Sequence, residues 1–296
     1  MSHAPKSRTQ ITIPELAKFK TQGRKIVMTT AYDAPTARIA DAAGVDAILV
    51  GDSLGNVCLG FESTLPVTMA MMLHHLEAVA RVQPRTLLLA DMPYLSYHLG
   101  DEDSIRNAGS FIRAGAQGVK LEGGAKRIPV IRALIDSEIP VMGHLGLTPQ
   151  SLHAMGGYKV QAKDGQHAIE LLEDALRLQD AGCFALLLEG IPAELAAKAT
   201  EVLEIPTIGI GAGAGCSGQV LVFHDLLGLI PGNGPRFVRK YLNGYDLMVE
   251  AMSNWANDIR DGGFPDTAES YILPEATRKV LSTWQPPADT EPETID

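Results

Sequence analysis

The chain has 296 residues, 46% hydrophobic and only 20% charged, with a formal net charge of -10. A chain this long and apolar buries a substantial core, which excludes wholesale disorder. The acidic balance argues against a nucleic-acid binder and against a polybasic membrane-surface protein.

In chain order, residues 12–20 read as a short helix, with Ile13-Pro14 just inside its start, placed to close the bottom of a barrel. A strand follows at 26–30. One pattern then recurs: Ala-Gly, two linking residues, a short apolar run, and an acid. It runs from Ala43-Gly44 through 47–50 to Asp52, from Ala114-Gly115 through 118–121 to Glu122, and from Ala181-Gly182 through 185–188 to Glu189. The glycine marks a helix end that needs positive φ, and the apolar run marks a strand buried on both faces. Ile105, Ala108 and Ile112 fall at helical spacing ahead of the second copy, and Ile169, Leu172 and Leu176 ahead of the third. Further strands are expected at 87–90, from Val141 and Thr207 after their Ile-Pro pairs, and at 220–223. About eight strands alternating with helices predict an α/β fold, a closed (β/α)8 TIM barrel. It is expected as a single domain over 1–284 with an N-terminal capping helix, followed by a Pro- and acid-rich disordered tail at 285–296.

Chemistry in such a barrel sits at the C-terminal ends of the strands. There the sequence places Thr30, Asp33, Asp52, Ser53, Asp91, Lys120, Glu122, His144, Glu189 and the glycines of 209–213. Asp52, Asp91 and Glu122 suit a hard cation such as Mg²⁺, which takes one or two carboxylates plus substrate and water; helix capping is the alternative for each acid. Lys120 faces the same side as Glu122, two residues away, and is set to hold a substrate carboxylate, form a Schiff base, or pair with Glu122. Glu189 ends an apolar run, where a raised pKa suits a general base, with helix capping again the alternative. His144 can donate to a substrate oxygen, with a structural role, the commoner one for a lone histidine, as the alternative. His74 and His75 diverge on a helix and read as non-functional. The run 209–215 fits G-x-G-x-x-A only superficially, and close backbone approach explains it better than a dinucleotide. Gly156 and Gly157 lie in a long connection of the kind that forms lids, with disorder as the alternative.

Cys58, Cys183 and Cys216 form no CxxC pair, which fits a reducing compartment rather than a disulfide framework or a zinc site. The first ten residues have no apolar stretch of a secretory signal, and no run approaches the roughly 20 residues of a membrane span, so the expected location is cytoplasmic.

The runs TTAYD (29–33), VGDSLG (50–55), STLPVT (63–68), ADMP (90–93), VKLEGG (119–124), GHLGLTPQS (143–151), GGYKVQ (156–161), LE (188–189), IGIGAG (208–213) and GQVLV (218–222) occur in this order. Together they closely resemble the ketopantoate hydroxymethyltransferase family over about 12–263. The resemblance implies a (β/α)8 barrel of the phosphoenolpyruvate mutase/isocitrate lyase-like type, Mg²⁺, 5,10-methylenetetrahydrofolate as one-carbon donor, and a homodecamer. It implies that Asp52 and Asp91 bind the metal with Glu122 completing the site, and that Asp52, Ser53, Asp91 and Lys120 hold the 2-oxo acid. Glu189 is then the base that takes the C3 proton of 3-methyl-2-oxobutanoate, giving a Mg-stabilised enolate and, in pantothenate biosynthesis, 2-dehydropantoate and tetrahydrofolate. Two alternatives stand beside it. One is a phosphoenolpyruvate mutase/isocitrate lyase-like carbon-carbon lyase, disfavoured because Cys58 and Cys183 lie in no general-acid loop motif. The other is a non-catalytic barrel kept for binding, disfavoured by the intact acids.

Overall fold

Eight parallel strands close on one another in chain order: β1 (Ile26–Thr30), β2 (Ala47–Val50), β3 (Leu87–Asp91), β4 (Gly118–Glu122), β5 (Val141–Gly146), β6 (Ala185–Glu189), β7 (Thr207–Ile210) and β8 (Gly218–Leu221). The barrel seam pairs β8 with β1, Gly218 opposite Ile26. The computed structural model describes residues 9–232 and 234–286, in two compact units, Met1–Asn243 and Gly244–Asp296. The first unit holds the whole barrel, whereas the sequence alone suggests a single domain to 284. The second carries the helices Gly244–Arg260 and Glu275–Ser282. Of the tail expected at 285–296, everything beyond Pro286 lies outside the described residues.

Strand period dictates the core. Successive side chains point to opposite faces, so each apolar strand feeds two separate clusters. Ala47, Leu49, Leu87, Leu89, Met142, Ala185 and Leu187 fill the barrel interior. Their neighbours Ile48, Val50, Leu88, Ala90, Val141, Leu186 and Leu188 pack outward against the helices. Both faces are therefore buried, which is why the strands read as continuous apolar runs rather than as alternating ones.

The helix ends obey the recurring Ala-Gly signal: Gly44, Gly115 and Gly182 have φ of 83°, 109° and 100°. The face of the helix Gly165–Asp180 differs from expectation. Leu171, Ala175 and Leu178 are its buried residues, while Ile169 is 59% exposed and Leu176 38%. Two apolar stripes overlap on this helix, and the one carrying the small Ala175 is the one that packs on the barrel. β8 also begins two residues earlier than the sequence suggests, because Val222 and Phe223 already start the turn Phe223–Leu226, and the Phe223 N–H donates to Thr30 Oγ1 (2.9 Å).

The N-terminal helix Ile13–Thr21 has Pro14 in its first turn, and the Thr12 N–H donates to Glu15 Oε2 (2.8 Å). Its Leu16 is buried with Ile11, Ile26 and Ile208 in the interior cluster. That plugs the end where the strands begin and leaves the opposite mouth for the polar residues. Lys20 Nζ donates to the carbonyls of Thr200 (3.0 Å), Leu203 (2.6 Å) and Ile205 (2.9 Å), tying this helix to the end of the helix Ala193–Val202.

Candidate active site

The interior column changes chemistry at the C-terminal mouth. Two residues above Leu89 stands Asp91, two above Met142 stands His144, and two above Leu187 stands Glu189; on β4 the inward Lys120 and Glu122, above Gly118, are both polar. The register sets Asp91 beside Lys120 and Glu122 beside His144. Asp52 lies just past β2 and enters through the turn at Gly51, its N–H donating to Asp91 Oδ2 (3.1 Å). A side chain at Gly51 would come within 2.8 Å of Ser53 Oγ and 3.3 Å of Asp91 Oδ2, so the turn admits only glycine without displacing the site.

Asp52, Asp91, Lys120, Glu122 and His144 are all less than 5% exposed. Lys120 Nζ lies 2.5 Å from Asp91 Oδ1. Its ion-pair partner is thus the acid of the adjacent strand rather than Glu122, because residues two apart on one strand stand side by side without converging. Burial works to discharge Lys120, but Asp91, Glu122 and Asp52 outweigh it and hold the ammonium charged. The acids respond in the opposite sense. Burial first, then the charge of Asp91, pushes Asp52 up to about 6. Burial raises Glu122 well above the carboxylate range, and burial raises Glu189 to about 8 against the pull of Lys120. His144 lies between two of these acids, Nδ1 3.6 Å from Glu122 Oε1 and Nε2 3.4 Å from Glu189 Oε2. Burial and Lys120 keep its ring neutral.

Helix capping does not account for the acids. The turn Leu54–Val57 and the helix Ala193–Val202 start at Ser53 and Pro192 with no side-chain cap. Asp33, by contrast, is a cap: its Oδ1 accepts from the Thr36 N–H (2.8 Å), and it stands exposed. Ser53 sits at the edge of the site, its Oγ 2.8 Å from the Tyr32 hydroxyl. His75 Nδ1 contacts the Tyr32 carbonyl (2.7 Å), which gives that ring a structural partner.

Two residues that sequence reasoning passed over complete the floor. Gln150 Nε2 donates to Asp52 Oδ2 (2.8 Å) and to the Met92 carbonyl (3.0 Å), and its backbone N–H donates to Glu122 Oε2 (3.0 Å). The Tyr97 hydroxyl donates to Gln150 Oε1 (2.6 Å) and accepts from the Glu122 N–H (3.3 Å). The only hint of Gln150 in the sequence is its place in the run 143–151. The loop after the helix Leu152–Met155 leans toward the mouth: the Gln161 N–H donates to the Gly190 carbonyl (2.9 Å), and the Tyr158 phenol is raised by burial and by Asp52, Glu189 and Glu122.

The donor set suits a hard divalent cation. Asp52, Asp91 and Glu122 set three carboxylates against one ammonium, and every donor is oxygen. Among the described residues no three His, Cys, Asp or Glu side chains already close into a metal cage. A cation here would need its remaining ligands from substrate and water, as Mg²⁺ commonly does.

The sequence model of the ketopantoate hydroxymethyltransferases matches residues 10–267. The chain is 64% identical over 291 residues to 3-methyl-2-oxobutanoate hydroxymethyltransferase 2 of Bradyrhizobium diazoefficiens, covering 98% of this chain and 99% of that protein. It is 63% identical over 270 residues to 3-methyl-2-oxobutanoate hydroxymethyltransferase of a Methylobacterium species, covering 91% and 94%. Among solved structures, the fold matches a 2,3-dimethylmalate lyase, a PEP mutase/isocitrate lyase superfamily member, with a TM-score of 0.57 at 18% identity over 93% of this chain and 95% of that one. A phosphonopyruvate hydrolase in complex with oxalate and Mg²⁺ matches with the same TM-score at 13% identity, over 92% and 95%. These structural likenesses establish the barrel type, and the sequence matches establish descent: the chain belongs to the ketopantoate hydroxymethyltransferase family.

Proposed function

We propose that the protein transfers a hydroxymethyl group from 5,10-methylenetetrahydrofolate to 3-methyl-2-oxobutanoate, giving 2-dehydropantoate and tetrahydrofolate in pantothenate biosynthesis. The observation that carries this reading is the convergence of Asp52, Asp91, Lys120, Glu122 and Glu189 at one barrel mouth in a member of this family. Asp52 and Asp91 would hold Mg²⁺, with Glu122 completing the set. The bound cation supplies a Lewis acid for the negative charge that develops on the keto oxygen.

Lys120, kept charged by its acids, pairs with the substrate carboxylate, and Asp52, Ser53 and Asp91 complete the site for the 2-oxo acid. Glu189 takes the C3 proton. Its burial makes the carboxylate more basic than an exposed one, which suits this step, and a positioned base contributes about 10²–10⁴-fold. His144, neutral and beside Glu189, donates to a substrate oxygen. The C3 electron pair then bonds to the folate's methylene carbon and a water oxygen becomes the hydroxyl, while both carbon–nitrogen bonds of that methylene break; the two folate nitrogens take up the C3 proton and one proton of the water.

Cys183, two residues before the start of β6 and so at the end of the strand opposite Glu189, is buried, and Cys58 follows the turn after β2; neither supplies the general-acid loop of a carbon-carbon lyase. The three cysteines are free thiols, in keeping with a cytoplasmic setting, and no helix among the described residues is long and apolar enough to cross a membrane. A homodecamer is the assembly the family resemblance implies.

Solvent exchange of the substrate C3 proton, measured without folate, tests the reading. Glu189→Gln retains Mg²⁺ and substrate binding and loses exchange; undiminished exchange in this variant removes Glu189 from the mechanism.

A further inference from the structure

We infer that Tyr97 and Gln150 are positioning residues: a buried clamp that sets the carboxylates of Asp52 and Glu122 for the cation. The inference rests on the functional reading above. Gln150 is 7% exposed and Tyr97 3%, so each of their polar groups needs a partner inside the protein.

The partners come from three different strand ends. Both amide protons of Gln150 are committed, one to Asp52 Oδ2 (2.8 Å) beyond β2 and one to the Met92 carbonyl (3.0 Å) beyond β3. The backbone N–H of the same residue reaches Glu122 Oε2 (3.0 Å) at the end of β4. One residue thereby fixes an oxygen on each of two carboxylates contributed by strands that are not neighbours.

What sets the direction of the Gln150 amide is Tyr97. An amide has two chemically different ends, and partners decide which way it faces. Two acceptors, a carboxylate oxygen and a carbonyl, lie at one end. At the other the Tyr97 hydroxyl points its single proton at Oε1 (2.6 Å), while its lone pair takes the Glu122 N–H (3.3 Å). Reversing the amide would set Oε1 against Asp52 Oδ2, oxygen against oxygen. Partners of this kind, one step behind a metal ligand, typically change metal affinity by about 10–100-fold.

Mg²⁺ titration of the cation-free full-length protein by calorimetry tests the clamp, beside the Michaelis constant for the 2-oxo acid in the C3 exchange assay. Tyr97→Phe keeps the ring, which packs 4.2 Å from the His98 ring, and removes only the hydroxyl. Mg²⁺ affinity is expected to fall by about tenfold, and the Michaelis constant to rise by more than the limiting rate falls. Gln150→Glu keeps the shape and places oxygens where the donors stood, and is expected to weaken Mg²⁺ further than Tyr97→Phe does. Folded variants that bind Mg²⁺ and the oxo acid as the wild type does overturn the clamp alone. A wild type that neither binds Mg²⁺ nor exchanges the C3 proton overturns the functional reading and the clamp with it. Should Gln150→Glu fail to fold, Tyr97→Phe alone decides.

Discussion

Replacing Glu189 by Gln is predicted to stabilise the cation-free fold at pH 8 and to do little at pH 5. Burial lifts the folded-state pKa of Glu189 from 4.5 to about 8. Below about pH 4.5 the group is protonated whether the chain is folded or not, and the substitution changes no charge. Between there and pH 8 the unfolded chain has released the proton and the folded one still binds it. Stability therefore falls as pH rises through this window, and the loss is complete above the folded pKa. At 1.36 kcal/mol per pKa unit, the ionised Glu189 costs the fold about 3–5 kcal/mol at pH 8 and less than about 1 kcal/mol at pH 5. The neutral isostere avoids that cost, so thermal melting in the presence of a chelator should show the variant on the order of 10 °C more stable at pH 8. A gain of equal size at both pH values, or a less stable variant at pH 8, refutes the claim that burial holds this carboxylate protonated, and with it the physical basis for its strength as a base.

Gly146→Ala should cost at least about 3 kcal/mol in urea denaturation and slow C3 exchange. Gly146 sits at φ 95°, and a Cβ there would stand 2.2 Å from the Glu189 carbonyl oxygen, so the end of β6 must move; near-wild-type stability would show that the strand end yields freely. Lys20→Met removes the donor to three carbonyls at the far end of the barrel. It should cost about 2–3 kcal/mol with the C3 exchange rate unchanged, and a matching loss of exchange would contradict the separation of the two ends.

Much of the site is legible in the sequence because a barrel strand converts position into location: an acid or a lysine that ends an apolar run stands at the mouth. Asp91, Lys120, Glu122, His144 and Glu189 follow this rule, and the Ala-Gly signal placed the helix ends ahead of three strands. Tyr97 and Gln150 do not follow it. They lie in loops, 53 residues apart, and Gln150 reaches Asp52 across 98 residues, so no spacing marks them. Lys120 illustrates a subtler limit, since its pairing with Asp91 depends on strand register, which emerges only when the barrel closes. The buried face of the helix Gly165–Asp180 was equally hidden, because two apolar stripes compete on it and only packing chooses between them.

The seam between β1 and β8 has a consequence for how the chain is made. On the ribosome β1 emerges early, but the strand that covers its free edge arrives far later: the Thr29 hydroxyl bonds to a carbonyl 192 residues further on. At 5–20 residues per second, that edge waits on the order of 10–40 s for its partner. An unpaired edge invites another nascent chain, and the basic pair Arg24 and Lys25 just ahead of β1 is of the kind that discourages such pairing. The barrel cannot close before β8 docks, so the burial that raises Asp52, Glu122 and Glu189 is not complete until then. The energetic cost of confining those acids therefore arises at the closing step of folding, after nearly all the rest of the barrel has been synthesised.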